Sequence, residues 1–238
     1  EAATRHDAIV IEDLAYMCMD FRKPLGRPFE PPFQPTVAKY TDNCIILMSA
    51  SKMFSYAGQR IAMIAVSDKL YMREYETLRQ RYRIARLGEA LVLGILYAVS
   101  SGTSHSAQYA LAAMLKAASD GVLDFVSDTS EYARRASLTK KMFLDNGFHI
   151  VYSKDGSEDV SDGFFYTVGY MEKSADGNPK EMTGALLMQE LMLCGICSIA
   201  LSLTGSAQNG VRICVSQLNR PEQFDMLSER LRMFAANH

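Results

Sequence analysis

The chain has 238 residues, 48% hydrophobic and 22% charged, an ordinary globular composition that excludes disordered and fibrous classes. Its 25 Lys and Arg against 27 Asp and Glu leave a net charge of −2, so there is no global electrostatic footprint for nucleic acid or an anionic membrane, and any anion site must be local. The longest apolar run, Leu191 to Leu203, is interrupted by Gly195, Ser198 and Ser202 and falls short of the roughly 20 residues a spanning helix needs.

Residues 1–7 read as the tail of a helix running into a short buried strand, Ala8 to Ile11. A helix end followed by a strand is what remains of a βαβ unit cut inside its crossover, so the chain is expected to be a fragment of a longer polypeptide. No basic stretch followed by an apolar core precedes that strand, and a signal peptide is not expected. The segment Pro24 to Pro35 holds five of the seven prolines and predicts an extended loop, a stiff surface connection or the roof of a site, with a PxxP ligand the lesser reading.

Cys44 to Met48 and Ile61 to Val66 follow as apolar, β-prone runs of the kind buried on both faces of a largely parallel sheet. Helical patterns cover Met72 to Val99, Ser106 to Val126 and Asp128 to Asn146, with Gly147 placed to end the last. The texture then changes. Strands at His149 to Tyr152, Phe164 to Gly169 and Val211 to Val215 alternate with helices near Glu181 to Cys194 and Pro221 to Ala235. The predicted fold class is α/β: residues 1–139 form part of a large domain with a mainly parallel sheet flanked by helices, including a domain-linking helix, and residues 140–238 form a smaller α+β C-terminal domain.

Strand Ala8 to Ile11 leads into Glu12-Asp13-Leu14-Ala15-Tyr16, and strand Cys44 to Met48 into Ser49-Ala50-Ser51-Lys52. Ligands of open α/β sheets bind beyond the carboxyl ends of the strands, so an acid, a phenol, two hydroxyls and an amine are expected to converge there. Arg60, two residues after Gly58, can aim a guanidinium at the same place.

This pattern resembles the pyridoxal-phosphate-dependent aminotransferases of fold type I, class I and II. Ser49-Ala50-Ser51-Lys52 with Gly58-Gln59-Arg60 is similar to the family's Schiff-base lysine motif, Asp13-Leu14-Ala15-Tyr16 to its cofactor-ring motif, and Gly210-Val211-Arg212-Ile213 to its substrate-carboxylate segment. The resemblance implies pyridoxal 5′-phosphate as cofactor, with Lys52 as Schiff-base lysine and proton shuttle. It implies Asp13 on the pyridine nitrogen, Tyr16 on the ring oxygen O3′, and Ser49, Ser51 and Arg60 on the phosphate. Arg212 is implied to bind the substrate α-carboxylate, the substrates being an L-amino acid and a 2-oxo acid. A homodimer of the full-length protein is implied as well. Two departures stand out. Ile61 follows Arg60 where the family often has glycine, and the family's glycine-containing phosphate loop, ring-stacking aromatic and O3′ asparagine belong to segments upstream of anything present. Lyases and decarboxylases share the lysine motif and fold, and some transcription regulators carry a non-catalytic aminotransferase-like domain, so motif and fold alone do not decide the reaction.

Other signals point to structure. Cys194-Gly195-Ile196-Cys197 lies in the longest apolar run, and of five cysteines, Cys44, Cys194, Cys197 and Cys214 sit in strongly apolar contexts that predict buried thiols in a reducing, cytoplasmic setting. His6, His105, His149 and His238 have no ligand spacing, and no metal is expected. Arg79, Arg83 and Arg86 are predicted to share one solvated or subunit-facing helix surface, with Arg81 nearby, and no nucleic-acid partner is expected. Gln108-Tyr109 resembles a family segment near the cofactor, without a role for either residue.

Overall fold

The structure, a computed structural model, describes residues 1–161, 163–173 and 177–238. It divides into two compact units, residues 1–18 with 24–128 and residues 19–23 with 129–238. The division falls inside the helix Phe125–Asp145, before the expected 139/140 boundary, and that helix contains no Gly or Pro to mark a linker.

The first unit carries a sheet of β1 (Val10–Leu14), β2 (Cys44–Ser49) and β3 (Ala62–Val66), in that order. β1 and β2 are parallel, from Val10 opposite Cys44 to Leu14 opposite Met48. The strand extends past the expected Ile11 because hydrogen bonding to β2 outweighs the low strand propensity of Glu12 and Asp13. Cys44, Ile45 and Ile46 are buried in succession, as a continuous apolar run in an internal strand should be. β3 is antiparallel to β2, because the connection between them turns the chain back through one short helix and a 3-10 turn instead of a crossover.

The long helix expected over Met72 to Val99 is broken. Arg73 leaves the first piece, Asp68–Met72, in an extended conformation, and Arg83 ends the second, Glu76–Tyr82, at φ 60°. A bridge between Glu74 and Arg86, with Tyr75 N–H donating to Ala85 and Leu87 N–H to Arg73, ties these ends together before a π-helical stretch, Ala90–Leu96. Gly88 is required here, since an added Cβ would lie 2.0 Å from the Tyr71 ring. The helix His105–Ser119 buries Ala107, Leu111 and Ala118 and stops ahead of Gly121, whose φ of +74° breaks the pattern expected to reach Val126.

The second unit is α+β. Its strands are β4 (Phe148–Ile150), β5 (Lys154–Asp155), β6 (Glu158–Asp159), β7 (Phe165–Lys173), β8 (Pro179–Glu181), β9 (Ile199–Ala200) and β10 (Val211–Cys214). The main sheet runs β4-β7-β10-β9 with β8 also paired to β7, all antiparallel, and β5 and β6 form a separate hairpin. Its core is one cluster in which Phe143, Phe148 and Phe234 meet Leu187, Leu191, Val168 and Val211; Phe148 lies 5.0 Å from both Phe143 and Phe234, centroid to centroid. The helices Gly184–Leu193 and Pro221–Asn237 are started by local chemistry. Thr183 Oγ accepts from Leu186 N–H, and Pro221 opens the second while Gln223 Oε1 accepts from Arg220 N–H.

The cysteine expectation needs correction. Cys44 is buried and Cys194 half-buried, but Cys197 and Cys214 are exposed despite their apolar neighbours; Cys214 is turned outward by alternation along β10, and Cys197 lies in the segment just before β9.

Candidate functional site

Parallel pairing puts the carboxyl ends of β1 and β2 on the same edge of the first unit's sheet, and antiparallel pairing brings the start of β3 to that edge too. Asp13 sits opposite Leu47, one residue before β1 ends. Its Oδ1 accepts from Ala15 N–H at 2.9 Å, and Met17 N–H donates to Leu14 O at 3.1 Å, which turns the chain sharply and leaves Tyr16 at the edge. Gln34, from the proline-rich segment, accepts from Cys18 N–H and holds the chain leaving this turn. Sequence reasoning passed over Gln34, since a polar residue 16 positions away carries no local signal of such a bond. Glu12 is taken up structurally, its carboxylate accepting from Val37 N–H at 3.0 Å.

β2 ends at Ser49, which caps the single-turn helix Ala50–Met53 by accepting from Ser51 N–H at 3.1 Å. Ala50 and Met53 are buried and anchor that turn, leaving Ser51 and Lys52 half-exposed. Lys52 Nζ stands 5.1 Å from the centroid of the Tyr16 ring, a cation–π distance that joins the ends of β1 and β2 directly. Ser49 pairs with Ala62 and Ala50 N–H donates to Ile61 O at 3.4 Å, so Arg60 arrives beside the lysine turn. Arg60 is exposed, held at φ 52° and ψ 49°, and its Nη1 donates to Ala57 O at 2.8 Å. Positive φ in a non-glycine residue is a strained conformation of the kind that collects at functional sites, and Ser55 in the same connection shares it. Six of the seven expected site residues, Asp13, Tyr16, Ser49, Ser51, Lys52 and Arg60, thus lie along one sheet edge.

The seventh, Arg212, belongs to the second unit, in the middle of β10 between Thr167 of β7 and Ile199 of β9. Its guanidinium carbon lies 4.1 Å from the Phe165 ring centroid, a cation–π distance.

Several of the groups outside this edge have partners of ordinary kind. His149 lies 3.4 Å from Glu181 and His238 3.6 Å from Glu190, and among the described residues no cluster of three His, Cys, Asp or Glu could hold a metal. Arg79 pairs with Glu74 and Glu76, and Arg86 with Glu74 and Glu89. Arg83 interrupts the helix that was expected to align the three arginines. Gln108 donates to Thr103 O at 3.0 Å, and Tyr109 is exposed. No helix among the described residues is long and apolar enough to cross a membrane.

The family model for aminotransferase class I and II matches residues 1–231. The fold is similar to aspartate aminotransferase from Thermus thermophilus solved with maleate, at TM-score 0.63 and 16% identity over 98% of this chain and 50% of that one. It is also similar to aromatic aminotransferase from Pyrococcus horikoshii OT3, at TM-score 0.62 and 18% identity over 99% and 53% of the two chains. A third match is an Escherichia coli protein with a methionine aminotransferase function, at TM-score 0.62 and 16% identity over 98% and 52%. The chain therefore spans about half the length of the solved structures it matches. No curated protein matches it.

Proposed function

Because the chain belongs to the aminotransferase class I and II family, we propose that the full-length protein moves an amino group between an L-amino acid and a 2-oxo acid, with pyridoxal 5′-phosphate held at the edge formed by β1, β2 and β3. The observation that carries this reading is the convergence on one edge of an amine, a carboxylate, a phenol, two hydroxyls and a guanidinium, with Lys52 Nζ 5.1 Å from the Tyr16 ring. That donor set fits the cofactor group by group: an amine for its aldehyde, a carboxylate for its pyridinium, a phenol for its ring oxygen, and hydroxyls with a guanidinium for its phosphate.

Bound there, pyridoxal phosphate supplies an electron sink for the carbanion that develops at the substrate Cα. Lys52 would hold the cofactor and would carry the proton to and from the substrate Cα. Asp13, whose Oδ1 is already steadied by Ala15 N–H, offers its carboxylate to the ring nitrogen. Tyr16 would donate to O3′. Ser49 accepts from Ser51 N–H and keeps its own O–H to donate to a phosphate oxygen, as does the Ser51 hydroxyl. Arg60 has one N–H on Ala57 O and further donors for the phosphate. Arg212, held against the Phe165 ring, would take the substrate α-carboxylate. The same proposal treats the protein as cytoplasmic and as a homodimer at full length. Val92, Leu93, Leu96, Tyr97 and Val99 expose a run of apolar surface suited to a second copy.

The test is covalent mapping. The full-length protein is incubated with pyridoxal phosphate, reduced with borohydride and digested; the label is expected on Lys52 and is expected to vanish in Lys52→Ala. The unreduced absorbance band should bleach with an amino acid and return with a 2-oxo acid. Label scattered over surface lysines, or unchanged in the variant, would overturn the site. Release of pyruvate or carbon dioxide from one amino acid without any 2-oxo acid would replace transfer with lyase or decarboxylase chemistry.

A further inference from the structure

The pairing of β9 with β10 sets Ala200 opposite Val211 and Ile199 opposite Arg212. Carried on in the same register, Ser198 falls opposite Ile213 and Cys197 opposite Cys214. Burial follows that register beyond the last hydrogen-bonded pair. On one segment Ile196, Ser198 and Ala200 are buried while Cys197 and Ile199 are exposed; on the other Val211, Ile213 and Val215 are buried while Cys214 is exposed. An alternation of period two, in phase on both segments, puts the two thiols on the same face. Both also line one cavity of about 380 Å³, together with Ile196, Ile213 and Leu227, at the end of the sheet where the ladder has opened. The segment before β9 is held by Arg230 Nη1, which donates to Gly195 O at 2.6 Å, and on the other segment Cys214 Sγ lies 3.2 Å from Ser216 Oγ.

We propose that Cys197 and Cys214 are a modification site, a thiol pair that closes to an intramolecular disulfide across the open end of the β9–β10 ladder when a small-molecule disulfide reaches it. Opposed residues of paired antiparallel strands have Cα atoms about 4.5–5.5 Å apart, so zipping the ladder up by the two further pairs of this register would bring Cys197 and Cys214 inside the roughly 4.4–6.8 Å range that a disulfide spans. One cysteine, as thiolate, attacks a sulfur of the small disulfide and expels one thiolate. The second protein thiolate then attacks the mixed disulfide at the protein sulfur and expels the other. Two protein thiols are oxidised, the reagent disulfide is reduced to two thiols, and the two protons go to the expelled thiolates. Cys194 is the sequence-adjacent competitor. It caps the helix Gly184–Leu193 and is half-buried, and burial followed by the nearby Glu190 carboxylate pushes its thiol up, which lowers its thiolate fraction.

This inference is independent of the cofactor reading and is read by mass. The full chain is treated with oxidised glutathione, alkylated and digested without reduction. Two alkylatable thiols should be lost, and a peptide joining Cys197 to Cys214 should appear, without a disulfide-linked dimer. Cys194→Ser should leave the crosslink in place, whereas Cys197→Ser and Cys214→Ser should each stop at a glutathione adduct on the remaining cysteine. A Cys194–Cys197 crosslink, a linkage between two chains, or both thiols still alkylatable after oxidation would overturn the proposal.

Discussion

The lysine turn is positioned by packing beneath it, and Ala50→Leu tests that dependence. Ala50 is fully buried between Ser49 and Ser51, in a cluster with Ile61, Ala107 and Leu111 and with half-buried Phe54, Tyr56 and Met63 against it. Its N–H donates to Ile61 O, and its own carbonyl accepts from both Phe54 and Tyr56 N–H at 3.2 and 3.3 Å, so the backbone has little freedom to retreat. Leucine adds three carbons, which at about 0.8 kcal/mol each would stabilise by about 2.4 kcal/mol if space existed. With Ala107 also fully buried on the facing helix, the added carbons meet side chains instead, and the cost of overpacking, about 1–3 kcal/mol, prevails. At a urea slope of about 2 kcal/mol per molar, the unfolding midpoint followed by circular dichroism should fall by roughly 1 M. Borohydride labelling of Lys52 should fall with it, because the turn that carries the amine is displaced. An unchanged or raised midpoint together with wild-type labelling would refute the argument that this cluster sets the place of Lys52.

Two further outcomes are expected. Gly210 has φ +124°, and a Cβ there would approach Val168 O to 2.6 Å, so Gly210→Ala should destabilise the second unit by about 2 kcal/mol or more, seen as a lower denaturation midpoint. Glu131 accepts from Arg134 and Arg135, and the Arg134 guanidinium above all holds its carboxyl at about 2 against an ordinary 4.5. A lowered folded value means the stabilisation is present above the ordinary value and is lost as pH falls through about 2. The carboxylate is 37% exposed, and solvent screening limits the effect of Glu131→Gln at neutral pH to about 0.2–1 kcal/mol. That difference from the parent should shrink in urea titrations taken between pH 4.5 and 2.

Much of this chain can be read from local pattern. The unbroken apolar run Cys44 to Met48 is the central strand of its sheet, with Cys44, Ile45 and Ile46 buried in succession, and Gly147, at φ +87°, ends a helix because glycine adopts that conformation without strain. The spacing of Asp13, Tyr16, Ser49, Ser51, Lys52 and Arg60 could be recognised as a set, as could Gly210-Val211-Arg212. Periodicity reports which side of an element is buried, but it carries nothing about the element's partners. The direction of β3, the break of the 72–99 helix by the Glu74–Arg86 bridge, and the outward turn of Cys197 and Cys214 all depend on residues far along the chain. The same holds for the candidate site. The residue types were legible, whereas the common edge exists only because Asp13 registers against Leu47 and Ser49 against Ala62, and the contact of Arg212 with the Phe165 ring only because β10 pairs with β7. Strand register and side-chain stacking are settled by non-local hydrogen bonds and burial, which form only when the tertiary structure does.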